Sequence, residues 1–326
     1  MSASPWLSVI IPVRNGERYL AEALRSIWSE GTDGYEVIAV DDGSSDSTPE
    51  LLTEWERLLP LRRLSRRGGG NWVAATNAGL REARGEYACF LHQDDIWLPG
   101  RLAAMRTEAA RRPTLILHPA LFIGPQGKRL GTWRCPLPAG DVDSRLFVER
   151  LIVQNFIAIP TPVFAREAAL GDGGLEESLW FTADWDLWFR LGRRQGIRYL
   201  TSPLAGFRVH RESQTMVRND LADRRRQYEA VVERHLDGSS LQALRAARFS
   251  VEVNLALTAS ATGAPVSWRP LLGALSRLGP AGCARFLRDS RIIERVGARL
   301  QVRGLRPGRA KATALANAAT SKNDAR

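Results

Sequence analysis

The first 120 residues alternate short β-branched runs with amphipathic segments, a rhythm that a chain satisfies by laying strands in one sheet and covering both faces with helices. LSVIIPV (7–13) predicts a strand buried on both sides, and RYLAEALRSIW (18–28) repeats its apolar residues at helical spacing. YEVIAVDD (35–42) predicts the second strand. It is followed by SSDSTPELLTEWERLL (44–59), where a Ser/Asp/Thr cluster supplies an N-cap before Pro49 enters the first helical turn. LRRLS, NWVAATNAGLREA, EYACFLHQDD, LPGRLAAMRTEAARR and TLILHPALF continue the alternation. The expected class is α/β: an open, mostly parallel sheet flanked by helices, with ligands at the carboxyl ends of its strands.

From about residue 140 the rhythm changes. A helix (DVDSRLFVERLIV) precedes short extended pieces around QNFIAIPTPVFA, a GDGG loop, a tryptophan-dense helix and a strand ending at LAGFRVH. The chain then reads as helical to roughly residue 300, and its last 20 residues, poor in large apolar groups, read as disordered. The expected organisation is one domain over 1–218, a basic helical region over 219–305 and a disordered tail over 306–326.

Composition narrows the class further. Of 326 residues, 44% are hydrophobic and 25% charged, the balance of a globular protein. No apolar run approaches the roughly 18–20 residues of a membrane-spanning helix, and MSASPWLSVIIPV lacks a charged leader region. Cys89, Cys135 and Cys283 form no CxxC pair, which argues against a disulfide framework or a cysteine zinc site and for a reducing, cytoplasmic setting. The net charge of +11 is all in the last third, where residues 234–326 hold 16 Lys and Arg against 5 Asp and Glu. That asymmetry points to an anionic partner for the tail.

The carboxylates fall at strand ends. Asp41 and Asp42 close the second strand, with Gly43 and Ser44 turning behind them, and Asp94 and Asp95 close YACFLHQ. Strand ends that lie side by side would form an acidic rim, which repels a bare diphosphate and so implies a mediating divalent cation, Mg2+ or Mn2+. Gly68 to Gly70 are not a phosphate loop, since no Gly-Lys-Ser/Thr follows.

Five segments in order, SVIIPVRNGERYLAEALRSI, EVIAVDDGSSDST, NAGLREARGEY, FLHQDDIWLPGRL and TADWDLWFRL, resemble the hallmarks of the family 2 inverting glycosyltransferases over roughly residues 6–212. The resemblance implies a GT-A fold with a nucleotide-sugar half (about 1–120) and an acceptor half (about 121–218). It also implies transfer of a sugar from a nucleoside diphosphate donor to an acceptor hydroxyl with inversion. Position by position, Pro12, Val13 and Arg14 resemble the nucleobase wall. Asp42 is similar to the carboxylate that accepts from the base, which favours the imide N–H of a UDP- or dTDP-sugar. Asn77 and Gln93 fall in the nucleotide-sugar segments, and Asp94 resembles the metal-ligating aspartate of a DxD motif. The first acidic position of that motif is His92 here, and Thr76 stands where many members carry Arg.

In the fifth segment Asp184 resembles the general base, which inversion requires within reach of the acceptor hydroxyl. Asp186 is its rival two residues on, and Ala183 replaces a common acidic neighbour. Phe207-Arg208-Val209-His210 resembles a late RxH segment whose histidine approaches the metal or diphosphate. Arg190 is expected to pair with a carboxylate or phosphate. Trp180 and Trp185 are candidate stacking platforms for the acceptor, whereas Trp188 fits the core.

ARFLRDSRIIERVGARL (284–300) sets Phe286, Ile293, Val296 and Leu300 against Arg288, Arg291, Arg295 and Arg299, a basic amphipathic helix suited to anionic lipid at the inner face of a membrane. The implied role is assembly of bacterial surface polysaccharide or a related glycoconjugate on a glycan or lipid-linked acceptor. Three rival readings compete with it. A sugar-phosphate nucleotidyltransferase would need a Gly-rich, Arg-containing loop where VRNGER stands. A nucleic-acid binder would need aromatics interleaved with the basic tail, so no nucleic-acid partner is expected. A non-catalytic relative is suggested by His92, Thr76 and Ala183, and opposed by the joint presence of Asp42, Asp94 and Asp184.

Overall fold

The computed structural model describes residues 4–210 and 220–304, with side chains to residue 301. The expected tail over 306–326 lies outside the described residues. The first half runs β1 (Leu7–Val13), α1 (Leu20–Trp28), β2 (Tyr35–Asp41), α2 (Thr48–Trp55), β3 (Leu61–Ser65), α3 (Trp72–Glu82), β4 (Tyr87–Phe90), β5 (Ile96–Trp97), α4 (Arg101–Ala109), β6 (Leu115–Leu117) and β7 (Ala120–Ile123). It continues through β8 (Arg129–Trp133), β9 (Gly140–Val142), α5 (Ser144–Leu151), β10 (Val163–Ala165), α6 (Arg166–Gly171), α7 (Ala183–Gly192), β11 (Ile197–Tyr199) and β12 (Ala205–Arg208). Five further helices follow among the described residues: α8 (Leu221–Arg234), α9 (Leu241–Thr262), α10 (Trp268–Ser276), α11 (Gly279–Ser290) and α12 (Ile292–Gly304).

The main sheet has the order β3-β2-β1-β4-β10-β6-β11-β9. Its β3-β2-β1-β4 part is parallel as the alternation predicts, with Val9 opposite Val37 on one side and Cys89 on the other. From β4 onward it is mixed, because β10 runs antiparallel to both β4 and β6. A second sheet, β5-β12-β7-β8, stands beside it. Strand β1 is buried throughout. Leu7, Val9, Ile11 and Val13 pack against α1 and α2 residues such as Leu24 and Leu52, while Ile10 faces Val73 and Leu80 of α3. Gly79 lets α3 lie close, since a Cβ there would stand 2.6 Å from Ile10 Cγ2.

The C-terminal helices share this core. Tyr228, Val231, Ala246 and Val251 belong to the cluster that holds Trp185, Trp188 and Phe189. The single amphipathic helix expected over 284–300 is instead two. Arg291 takes a left-handed conformation (φ 50°) that ends α11 and re-phases α12. Ile293 therefore turns outward, 76% exposed, and Arg295 turns inward, 6% exposed, the reverse of the expected faces.

Candidate active site

The carboxyl ends of β1, β2 and β4 open into a cavity of about 650 Å³ lined by Pro12, Val13, Arg14, Asp42, Gln93 and Asp94 among others. Sheet order reverses at β1, whose neighbours are β2 and β4, so the cleft forms where such sheets bind ligands. Gln93 ties the two rims together: its Oε1 accepts from Arg14 N–H at 2.8 Å and its Nε2 donates to Arg14 O at 3.1 Å. The adjacent aspartates of β2 divide their work. Asp41 accepts from Ser44 N–H (2.9 Å) and its hydroxyl (2.7 Å), capping its own turn. Asp42 faces the cavity, with Oδ2 accepting from Gly70 N–H at 2.8 Å and Oδ1 lying 3.6 Å from Arg66 Nε. Gly68 makes this approach possible, since a Cβ there would stand 2.6 Å from Asp42 O.

At the end of β4, His92, Asp94 and Asp95 each present one ligand atom, all within 4.8 Å of one another. Among the described residues His92 Nε2 and Asp95 Oδ2 are buried without a hydrogen-bond partner. Two oxygens and one imidazole, partly orphaned, form a donor set that fits a small divalent cation. Strand β12 closes the cluster: Arg208 N–H donates to Asp95 Oδ1 at 2.9 Å, and His210 Nε2 lies 2.8 Å from Asp94 Oδ2. Burial raises Asp94, but its hydrogen bond with His210 and the nearby His92 outweigh that and hold it below the usual carboxylate range. Burial, then the Asp94 charge, pushes Asp95 well above it, and burial keeps His92 neutral. Arg208, through its backbone N–H and through Nε on Asp94 O, and His210, just past β12, through its ring, thus both meet the acidic pair.

The opposite wall comes from the start of α7. Asp184 lines the cavity and accepts from Asn155 Nδ2 at 2.9 Å. Burial lifts its carboxyl to about 6, tempered by that hydrogen bond. Asp186, two residues on and therefore on another side of the helix, is enclosed by Arg190 Nε (2.9 Å), His235 Nε2 (2.9 Å) and Arg234 Nη1 (3.1 Å). Burial would raise it, but the His235 hydrogen bond and the flanking cations bring it down to about 2. Asp186 is a structural hub, and Arg190, which also donates to Asp172 O and Gly174 O, is part of it.

Several expected positions do other work. Asn77 is absent from the cavity lining; it braces α3 against the 172–177 loop, donating to Leu175 O (2.8 Å) and accepting from Leu175 N–H (2.8 Å). Thr76 is buried with its hydroxyl on Trp72 O. Trp185 touches the cavity but is 2% exposed, its indole N–H donated to Leu151 O, so it packs the core and leaves Trp180 as the better placed of the two expected platforms. Among the lining residues that sequence reasoning did not place in the site are Gln154 and Asn155 after α5, and Tyr228, Asn254 and Arg295 of the C-terminal helices. Their one signal was the polar pair Gln154-Asn155 inside an apolar run.

Residues 8–164 match the model of glycosyl transferase family 2. An uncharacterized glycosyltransferase of Rickettsia prowazekii is 27% identical over 222 residues, 64% of this chain. An uncharacterized protein of Mycobacterium tuberculosis is 29% identical over 248 residues, 69% of this chain and 75% of its own length. The chain spans 65% of the R. prowazekii protein and 35% of an uncharacterized glycosyltransferase of Rickettsia felis. Among solved structures, S. aureus TarS 1–349 superposes with a TM-score of 0.61 at 18% identity, over 89% of this chain and 90% of that one. The match to the glycosyl transferase family 2 model thus covers residues 8–164, and the fold of the described residues, shared with TarS, is the GT-A fold.

Proposed function

We propose that the chain is an inverting glycosyltransferase that moves a sugar from UDP or dTDP to an acceptor hydroxyl in surface polysaccharide or glycoconjugate synthesis. The observation that carries this reading is the pairing, across one cavity, of a cation-fitting His92/Asp94/Asp95 cluster with Asp184, a carboxylate held near 6. A group poised near neutral pH is suited to general-base work. Pro12 to Arg14 would flank the base and Asp42 would accept its imide N–H. S. aureus TarS, of the same fold, is known in complex with UDP-GlcNAc, which agrees with a uridine-linked donor. A divalent cation held by Asp94, with His92 and Asp95 beside it, would neutralise charge on the departing diphosphate.

Asp184 takes the proton of the acceptor hydroxyl as its oxygen bonds to the anomeric carbon. The bond from that carbon to the diphosphate breaks on the opposite face, its electron pair leaving with the nucleotide, so the configuration inverts. Asn155 holds Asp184 in place for this step, and Trp180 offers a stacking face at the rim. Peripheral contact with anionic lipid fits α10 better than the 284–300 stretch: Trp268, Leu272 and Leu275 recur at helical spacing, all exposed, beside Arg269 and Arg277.

Calorimetry with UDP and dTDP, with and without Mn2+, tests the donor site. The expected result is binding of one nucleotide that Mn2+ strengthens and Asp94→Ala abolishes. Binding by neither nucleotide under any metal condition would remove this reading.

A further inference from the structure

Arg295 of α12 is a buried cation whose described neighbours leave its charge unanswered. It is 6% exposed and donates only to neutral oxygens, Asn254 Oδ1 at 2.8 Å and Ser290 O at 3.3 Å. No described carboxylate forms an ion pair with it. Burial and the neighbouring Arg299, one turn on, push it down to about 10. Retaining a guanidinium in such a place is costly unless an anion compensates it. A position that only needed filling would be better served by an apolar side chain.

The position is also on the wall of the cavity, together with Arg299 and with Arg224 of α8, whose guanidinium stacks on Phe181 at 4.2 Å. Tyr228 lines the same cavity, and burial raises its hydroxyl above the ordinary tyrosine range against the pull of the three arginines. The cavity is thus polarised, with carboxylates and His92 at the β4 end and three guanidinium groups on the side of the proposed base. A donor diphosphate is accounted for at the acidic end.

We infer that the acceptor is an anion, carrying a phosphate or carboxylate that Arg295, supported by Arg299 and Arg224, binds beside the hydroxyl presented to Asp184. This rests on the reading of Asp184 as the base side of the site. The anion would complete the pairing that Arg295 lacks, and the closeness of like-charged Arg299 raises the local preference for a doubly charged phosphate. Neutral sugars would leave Arg295 buried against neutral oxygens and would bind less well.

The test uses the full chain saturated with UDP and Mn2+, titrated with sn-glycerol 3-phosphate, with D-glucuronate, and with glycerol and D-glucose as neutral counterparts. At least one anionic probe should bind alongside UDP about tenfold tighter than its neutral counterpart, the scale of one charged hydrogen bond. Which of the two it is separates a phosphorylated acceptor from a carboxylated one. Arg295→Gln and the more exposed Arg299→Gln should each weaken the anion about tenfold, while Arg81→Gln, an exposed cation of α3 outside the cavity, should not. Should Arg295→Gln fail to fold, Arg299→Gln decides. Equal binding of charged and neutral probes, or no effect of either cavity variant, overturns the inference. So does displacement of UDP by the anion, which would assign the arginines to the donor. Failure of UDP itself to bind sinks the donor reading alone, because the probe titration without UDP still reports on the arginines.

Discussion

Asp184 and Asp186 show how two carboxylates on one helical turn are driven apart by what surrounds them. Asp184 is lifted to about 6 by desolvation with one amide for company, and Asp186 falls to about 2 among Arg190, Arg234 and His235. Opposite consequences follow. A folded carboxyl raised above its unfolded value binds protons more readily than the unfolded chain, so its ionisation costs stability that is regained as pH falls from about 6 towards 4. Asp184→Asn should therefore stabilise the protein at pH 8 by about 2–3 kcal/mol, a gain that fades by pH 4. Activity should fall by about 10²–10⁴-fold in the same variant. In the wild type kcat/KM should drop as pH falls below about 6. Urea melts at pH 8 and pH 4 check the first statement, and unchanged activity in Asp184→Asn would refute its role as base. Asp186 behaves in reverse: its stabilisation is present above pH 4 and lost as pH falls through about 2. Asp186→Asn should cost about 2 kcal/mol at pH 7, and equal midpoints for variant and wild type would contradict the hub.

At the scale of elements, the first strands of the chain were legible because their signal is local. β1 occupies Leu7–Val13, the span that its apolar run marks, and β2 ends at Asp41, the first of the acidic pair and one residue short of the predicted end. The separation of Asp184 from Asp186 follows from helical periodicity alone. What sequence could not deliver depends on backbone detail or on distant segments. A left-handed Arg291 leaves no compositional trace, yet it turns Ile293 out and Arg295 in. Asn77 looks like a ligand of nucleotide until Leu175, 98 residues away, claims both ends of its amide. Exposed apolar residues were equally hard to foresee on α10, a helix with no buried residue. If that face meets lipid, vesicles containing phosphatidylglycerol should sediment the protein and neutral phosphatidylcholine vesicles should not. Removing a tryptophan and a leucine from an interface costs about 2–4 kcal/mol, so Trp268→Ser with Leu272→Ser should lower the bound fraction at least tenfold. Equal sedimentation by both lipids, or by both proteins, would dismiss this contact.

At the scale of the whole molecule, the C-terminal helices share one core with the α/β region. They place Tyr228, Val231, Ala246 and Val251 in the core with Trp185, Trp188 and Phe189, and they wall the cavity with Asn254 and Arg295. A buried polar chain binds the two regions: Gln154 Oε1 accepts from Ser250 Oγ (2.9 Å) and Asn254 Nδ2 (2.6 Å), and Asn254 Oδ1 in turn accepts from Arg295. Gln154 precedes Asn155, the residue that holds Asp184, so helices distant in sequence support the placement of the proposed base. Regions that share one core should unfold together. Tryptophan offers a clean probe, because nine of the ten lie before residue 219 and fluorescence therefore reports on the N-terminal region. Val231→Ala, a cavity in α8 beside that core, should cost about 2 kcal/mol. It should also move the fluorescence midpoint by the same amount as the far-ultraviolet dichroism midpoint. Two separated transitions, with the variant shifting dichroism and leaving tryptophan untouched, would show that the helices are an independent appendage and that their arginines are not held rigidly in the site.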